Sequence, residues 1–425
     1  MTTQARFERQ LPAVLEDLYL GPTPDYRDEV LAAATARRQR PAWTFPGRWL
    51  PMDITTRTIP VVRLPLRQIA VVALLIALLA AALAVYVGSQ RHLPAPFGPA
   101  RNGLIPYIAN GDIYVGDPVT GTTRLLVSSP RGTNPFSPGF SPDGTRLAFF
   151  REVPSASAVN PPADAYVVRD DGTGLTRINA SPFKRVVVAR WTPDGRSLAV
   201  IHTVDGINQV DLLDADGVRP PQRLDAGARA DSIEFRPPLG REIVFRALVG
   251  LKYGLFVMNA DGTNKRTLVP PTHPVDVDQD LNGIQYSADG GRIFYQRWFP
   301  DSIQLWVMNA DGTDAHEFYP EAGPGWDGVA QLSPDGNWVA YWHVIEDGRA
   351  KQHVSVVRAD GTGPIIPTGP DLTGNSGFLW SPDSTKILMS NGSNPSAFLL
   401  DPAGGPWTTV PWRSDLDLDW QRLAP

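Results

Sequence analysis

The sequence predicts an all-β protein, a seven-bladed β-propeller rather than six or eight blades, preceded by one transmembrane helix and a short helical N-terminal region. Three observations predict it. An aromatic-Ser/Thr-Pro-Asp-Gly unit recurs along the last three-quarters of the chain. A second hairpin unit built on Asp-Gly alternates with it. A single uncharged apolar run precedes both.

The first unit opens at Phe140 as FSPDGTRLAFF and at Trp191 as WTPDGRSLAVI. It returns at Tyr286 as YSADGGRIFYQ, at Leu332 as LSPDGNWVAYW and at Trp380 as WSPDSTKILMS, with a decayed copy, FRPPLGREIVFR, at Phe235. Spacings run from 44 to 51 residues. Proline pre-sets φ for the second position of a type I turn, the Ser hydroxyl bonds the turn backbone, and Gly accepts positive φ. The second unit reads VVRDDGTGLTRI from Val167, LLDADG from Leu212, FVMNADGTNKRTL from Phe256, WVMNADGTDAHEF from Trp306 and VVRADGTGPII from Val356. Looser copies start at Tyr114 and Phe398. Asp-Gly is the favoured two-residue hairpin turn. Two tight hairpins per unit make four antiparallel strands, and four-stranded units repeating at this period are propeller blades.

The count of blades comes from an imbalance. Seven Asp-Gly-type hairpins face only six aromatic units, and the first hairpin, near Asp117, has none before it. The C-terminal stretch Asp415-Leu-Asp-Leu-Asp-Trp420 alternates like a strand and carries Trp at the expected place. Residues 415–423 are therefore expected to be the innermost strand of the blade formed by 104–127, which closes the ring and leaves no open edge.

The apolar run is Ile69 to Gly88, uncharged throughout. At 1.5 Å per residue it matches the roughly 30 Å hydrocarbon core of a bilayer. A buried soluble helix seldom stays apolar on every face for that length, and a cleaved signal peptide starts nearer the N-terminus, so an uncleaved anchor is expected. Residues 30–68 hold Arg37, Arg38, Arg40, Arg48, Arg57, Arg63 and Arg67, whereas 89–127 hold Arg91, Arg101 and Arg124. That asymmetry puts the N-terminus inside and the propeller outside the cytoplasm, in a bacterial plasma membrane. The expected organisation is a cytoplasmic helical stub and juxtamembrane linker at 1–68, the span at 69–88, a linker at 89–103 and the propeller at 104–423. In the stub, Phe7, Leu11, Leu15 and Leu18 share one helical face, and Asp25 caps a second helix carrying Tyr26, Val30, Leu31 and Ala34. Trp43 and Trp49 suit the headgroup level.

These repeats resemble the bacterial TolB-type propeller repeat, a WD-repeat-like family, over about residues 104–423. The resemblance implies an extracytoplasmic protein-binding platform, sometimes fused to an enzyme. The stub resembles, in architecture, the cytoplasmic part of membrane-bound regulators such as anti-sigma factors. Zinc-binding domains of that kind need His and Cys ligands, and none occurs before the span.

The composition narrows the chemistry. The net charge of −5 gives no reason to expect a nucleic acid as partner. The absence of cysteine excludes disulfides, thiol nucleophiles and Cys-ligated zinc. A fused serine hydrolase needs a G-x-S-x-G elbow. None occurs, and Gly374-Asn375-Ser376-Gly377 reads as a loop turn. His92, His202, His273, His316, His343 and His353 lack helical metal spacing. Asp276, Asp278 and Asp280, with Asn282 and Gly283, are candidate calcium ligands because alternating carboxylates supply hard oxygens. The glycine comes late and no bidentate Glu follows, so a solvated inter-blade loop is the plainer reading. Ser333-Pro-Asp335-Gly-Asn-Trp338 resembles a sialidase Asp box but repeats in phase as a turn. Gly139, Arg190, Glu234, Gln285, Gln331, Leu379 and Asp419 precede the repeated aromatic and are candidates for a polar funnel at the central channel. No cofactor and no catalysis are expected. The expected function is protein binding, scaffolding or envelope sensing. The alternative is an envelope enzyme, a glycan lyase or hydrolase, with its site at the propeller mouth.

Overall fold

The computed structural model describes residue 76 and residues 95–154, 161–226, 229–271, 281–299, 302–318, 326–345, 351–373, 376–391, 394–413 and 418–424. The chain separates into two units, Met1–Tyr86 and Val87–Pro425. All described residues but Ile76 belong to the second. Among the described residues no helix is long and apolar enough to cross a membrane. The run Ile69–Gly88 lies outside them except for Ile76, which is helical and exposed. The helices expected in the stub lie outside the described residues altogether.

Seven antiparallel sheets follow one another along the chain. Blade 1 comprises Ile105–Ala109, Asp112–Gly116 and Thr123–Val127. Blades 2 to 7 have four strands each and open on Pro135–Phe140, Val186–Trp191, Arg229–Phe235, Gln285–Tyr286, Trp326–Leu332 and Ser376–Trp380. In each the first strand is innermost and the fourth outermost. A strand here is covered on both faces, so its apolar residues run continuously instead of alternating. Leu147 and Phe149 face blade 1 while Ala148 and Phe150 face blade 3. The core is correspondingly divided into seven apolar clusters, one between each pair of successive blades.

The seventh cluster closes the ring. Ile105 and Tyr107 of blade 1 meet Leu388, Val410 and Trp412 of blade 7, with Trp420 buried among them. In six blades the residue after the repeated aromatic donates its N–H across the turn, as Ser141 does to Arg146 O, Thr192 to Ser197 O and Ser381 to Lys386 O, at 2.8–2.9 Å. Gln421 N donates to Leu104 O at 2.9 Å, the same bond in the same phase, made between the two ends of the propeller. Arg422–Leu423 also pair with Arg101–Asn102. The C-terminal segment thus closes the ring beside blade 1, as the sequence predicts, but its strand is only Arg422–Leu423, which pairs with Arg101–Asn102 in a two-stranded sheet of its own rather than adding a full fourth strand to Ile105–Ala109, and residues 415–417 lie outside the described residues.

Both turn motifs lie at one end of the propeller, because the first-to-second and third-to-fourth strand connections share a side. In the first motif Gly144 N donates to Ser141 O at 2.8 Å, and Ser141 Oγ donates to Asp143 Oδ1 at 2.5 Å. The second motif differs from the expected two-residue hairpin. Gly172 N bonds Arg169 O and Arg169 N bonds Thr173 O, both at 2.9 Å, so three residues, Asp170 to Gly172, form the loop. Only the glycine has positive φ, 88°. A two-residue type I′ turn needs positive φ at both central residues, which Asp resists, whereas a type I turn followed by a left-handed Gly does not. Asp171 then accepts from Thr173 N and Oγ1 at 2.9 and 2.7 Å, and the pairs Asp261–Thr263, Asp311–Thr313 and Asp360–Thr362 do the same. These bonds to the charged form hold each of the four carboxyls below the usual carboxylate range.

Candidate functional site: the central channel and the loop face

Five of the seven residues before the repeated aromatic, Arg190, Glu234, Gln285, Gln331 and Asp419, latch neighbouring inner strands together. Arg190 Nε lies 3.4 Å from Glu234 Oε2. Gln285 Oε1 accepts from Leu332 N at 2.6 Å, and Gln331 Nε2 donates to Phe378 O at 2.7 Å. Asp419 Oδ2 accepts from Phe140 N at 2.5 Å. Each bond crosses from one blade to the next, so these side chains spend their polar groups on holding the ring. Burial pushes the Asp419 carboxyl up to about 6, against the N–H bonds from Phe140 and Trp420 and the charges of Arg422 and Arg190. Burial likewise raises Glu234, against the charge of Arg190.

At the turn end a cavity of about 170 Å³ lies between Glu234, Gln285, Ser333 and Arg422, lined also by Pro96, Phe97 and Gly98. Arg422 Nη2 donates to Ala95 O and Gly98 O at 2.9 and 2.7 Å, and Ala100 N donates to Pro382 O at 2.9 Å. Residues 95–103, the described part of the expected linker 89–103, therefore run across this end and pack on the propeller.

The opposite end carries the second-to-third strand hairpins and the connections between blades. Two clefts open there. One of about 750 Å³ lies between blades 3 and 4, lined by Ile207, Arg223, Arg229, Val249 and Leu251. Ile207, Val249 and Leu251 are 52%, 45% and 73% exposed and form an apolar rim to the cleft. The other, about 330 Å³, lies between blades 2 and 3 and shares Arg223. Its wall holds a buried His202, whose Nε2 is 2.7 Å from Asp211 Oδ2 and whose ring packs on Phe183 at 4.4 Å. Arg223 pairs with the same carboxylate. Burial raises Asp211, but the bonds and charges of His202 and Arg223 outweigh it and hold the carboxyl low.

The calcium candidates Asp276, Asp278 and Asp280 lie outside the described residues. Beside them, Asn282 O accepts from Gln296 N at 2.8 Å and Gly283 has φ of 59°. His316 is exposed beside Asp314. His343 and His353, unremarkable in the sequence, stand side by side on blade 6 with ring centroids 5.5 Å apart. Their equal spacing in the sequence on either side of Asp347-Gly348 is the signal that could have found this pairing. Among the described residues no three His, Asp or Glu side chains yet meet as metal ligands do. The clefts and the latch have no local signature, since each joins residues of different blades.

No family model matches the chain, and no curated protein matches it. Solved structures do. A periplasmic gluconolactonase from Pseudomonas aeruginosa is 19% identical over 76% of this chain and 99% of its own, with a TM-score of 0.53. An oligogalacturonate lyase in complex with manganese is 13% identical over 73% and 84%, with a TM-score of 0.52. TolB from Acinetobacter baumannii is 16% identical over 75% and 81%, with a TM-score of 0.47. At such identity the likeness speaks to the propeller fold and leaves the activity open.

Proposed function

We propose that this chain is a single-pass membrane protein of the bacterial envelope whose extracytoplasmic propeller binds a protein partner at the loop end, without chemistry of its own. The observation that carries this reading is the cleft between blades 3 and 4. Exposed Ile207, Val249 and Leu251 ring a volume large enough for side chains of a partner, and Arg223 and Arg229 stand beside them. Apolar side chains bordered by arginine are the composition of a recognition patch. The channel residues, by contrast, are engaged in the latch. The apolar run and the arginine asymmetry support the anchor and its orientation.

One experiment tests both halves. All five lysines lie in the propeller, at positions 184, 252, 265, 351 and 386. A membrane-impermeant, amine-reactive crosslinker added to intact cells should therefore label the propeller and trap its partner. Leu251→Asp and Ile207→Asp should abolish the trapped partner while leaving the labelling unchanged. Unlabelled lysines would overturn the orientation, and a partner retained by both variants would overturn the site. The second reading, an envelope enzyme, is favoured by the His202–Asp211 pair opening onto the 330 Å³ cleft. Turnover of a cell-wall glycan that is lost in His202→Ala, with no protein trapped, would decide for it.

A further inference from the structure

We propose that blade 6 carries a divalent-metal site built on His343 and His353, with Asp371 as the carboxylate ligand. The register places these residues in one row across the sheet. His343 of the second strand pairs with His353 of the third. Directly opposed residues of antiparallel strands share a sheet face. The outer strand then breaks register, its partners jumping from Leu372 opposite Gln352 to Thr368 opposite Val354. Residues 369–371 bulge opposite His353 as a result, and this brings Asp371 Oδ1 to 3.6 Å from His353 Nδ1.

The dimensions suit a metal. Two imidazoles bound to one ion at about 2.1 Å and a roughly tetrahedral angle place their ring centres about 5–5.5 Å apart. The observed separation is 5.5 Å with the rings tilted by 53°. Asp371 is half exposed and 3.9 Å from Lys351 Nζ. An ion would draw it off that lysine toward the histidines, and its exposure is the route in. Two nitrogens and a carboxylate are a donor set for zinc and its neighbours rather than for calcium.

The test is zinc binding by the full chain, purified without a polyhistidine tag, read by calorimetry and by melting temperature. One Zn²⁺ per chain should bind with a dissociation constant on the order of micromolar and raise the melting temperature. His343→Ala and His353→Gln should each weaken binding by about 100-fold, and Asp371→Asn by about 10-fold. The exposed His316→Ala should change nothing. Metal-free melting of the His353→Gln protein at the wild-type temperature separates loss of a ligand from loss of the fold. Absence of saturable one-to-one binding, or binding undiminished in the His343 and His353 variants, overturns the proposal.

Discussion

Asp419 offers a carboxylate from the closing segment to the neighbouring blade, and its environment opposes the charge. Its carboxyl sits at about 6 in the folded chain against 3.8 for a freely solvated aspartate. The folded state thus holds the proton more tightly than the unfolded state. As pH rises from 4 to 6 the unfolded chain loses that proton first, and this group's contribution to stability falls; above 6 it stays low. The whole displacement corresponds to at most about 3 kcal/mol, less whatever water in the channel screens. Asn keeps an oxygen to accept from Phe140 N and carries no charge. Asp419→Asn should therefore melt higher than wild type at pH 7.5, and the difference between the two should shrink as pH falls through 6 toward 4. Parallel melting curves across that range would refute the assignment. The hydroxyl and carboxyl of the turn motif were legible as turn-makers because their bonds reach only two to five residues along the chain. The latch was not legible, since Asp419 and Phe140 are 279 residues apart.

At the scale of an element, the turns carry a second duty. Gly144 has φ of 69°, and a Cβ there would stand 2.1 Å from Arg422 O on the closing strand. Glycine at this place both permits the turn and lets the C-terminal strand approach. Gly132 also has positive φ, 79°, but a Cβ there meets nothing within 4 Å. Gly132→Ala should cost only the left-handed backbone penalty, about 1 kcal/mol. Gly144→Ala should cost appreciably more, at least about 2–3 kcal/mol, because backbone must move. Denaturant unfolding of the two variants makes the comparison, and equal losses would show that closure tolerates displacement there. The Asp-Gly hairpins teach a related point. Their existence and phase were readable in the sequence, but the three-residue geometry was not. Dipeptide preference ranks turn residues, whereas the register of the flanking strands selects the loop length.

Over the whole molecule, stability rests on a ring with seven interfaces, and the one that includes Trp420 joins the two ends of the propeller. Removing the final ten residues takes away a Trp that is 5% exposed, its Nε1 bond to Gly103 O at 3.0 Å, and the Gln421–Leu104 bond. Burial of a large aromatic contributes on the order of 2–3 kcal/mol, and the cut also opens Ile105, Tyr107, Leu388 and Trp412 to water. The truncated chain should melt markedly lower and become sensitive to protease in blades 1 and 7; an unchanged melting temperature would contradict the closed ring. By itself the sequence determined the number of blades, the position of each turn and the identity of the closing strand. Those follow from φ preferences and from a repeat, both written locally in the chain. Only the tertiary structure decided that five of the residues before the repeated aromatic are a latch, that residues 95–103 lie across the turn end, and that His343 stands against His353. It also set the two clefts on either side of blade 3. Each of these depends on how closely one strand or blade approaches the next, a distance set by packing of side chains far apart in sequence.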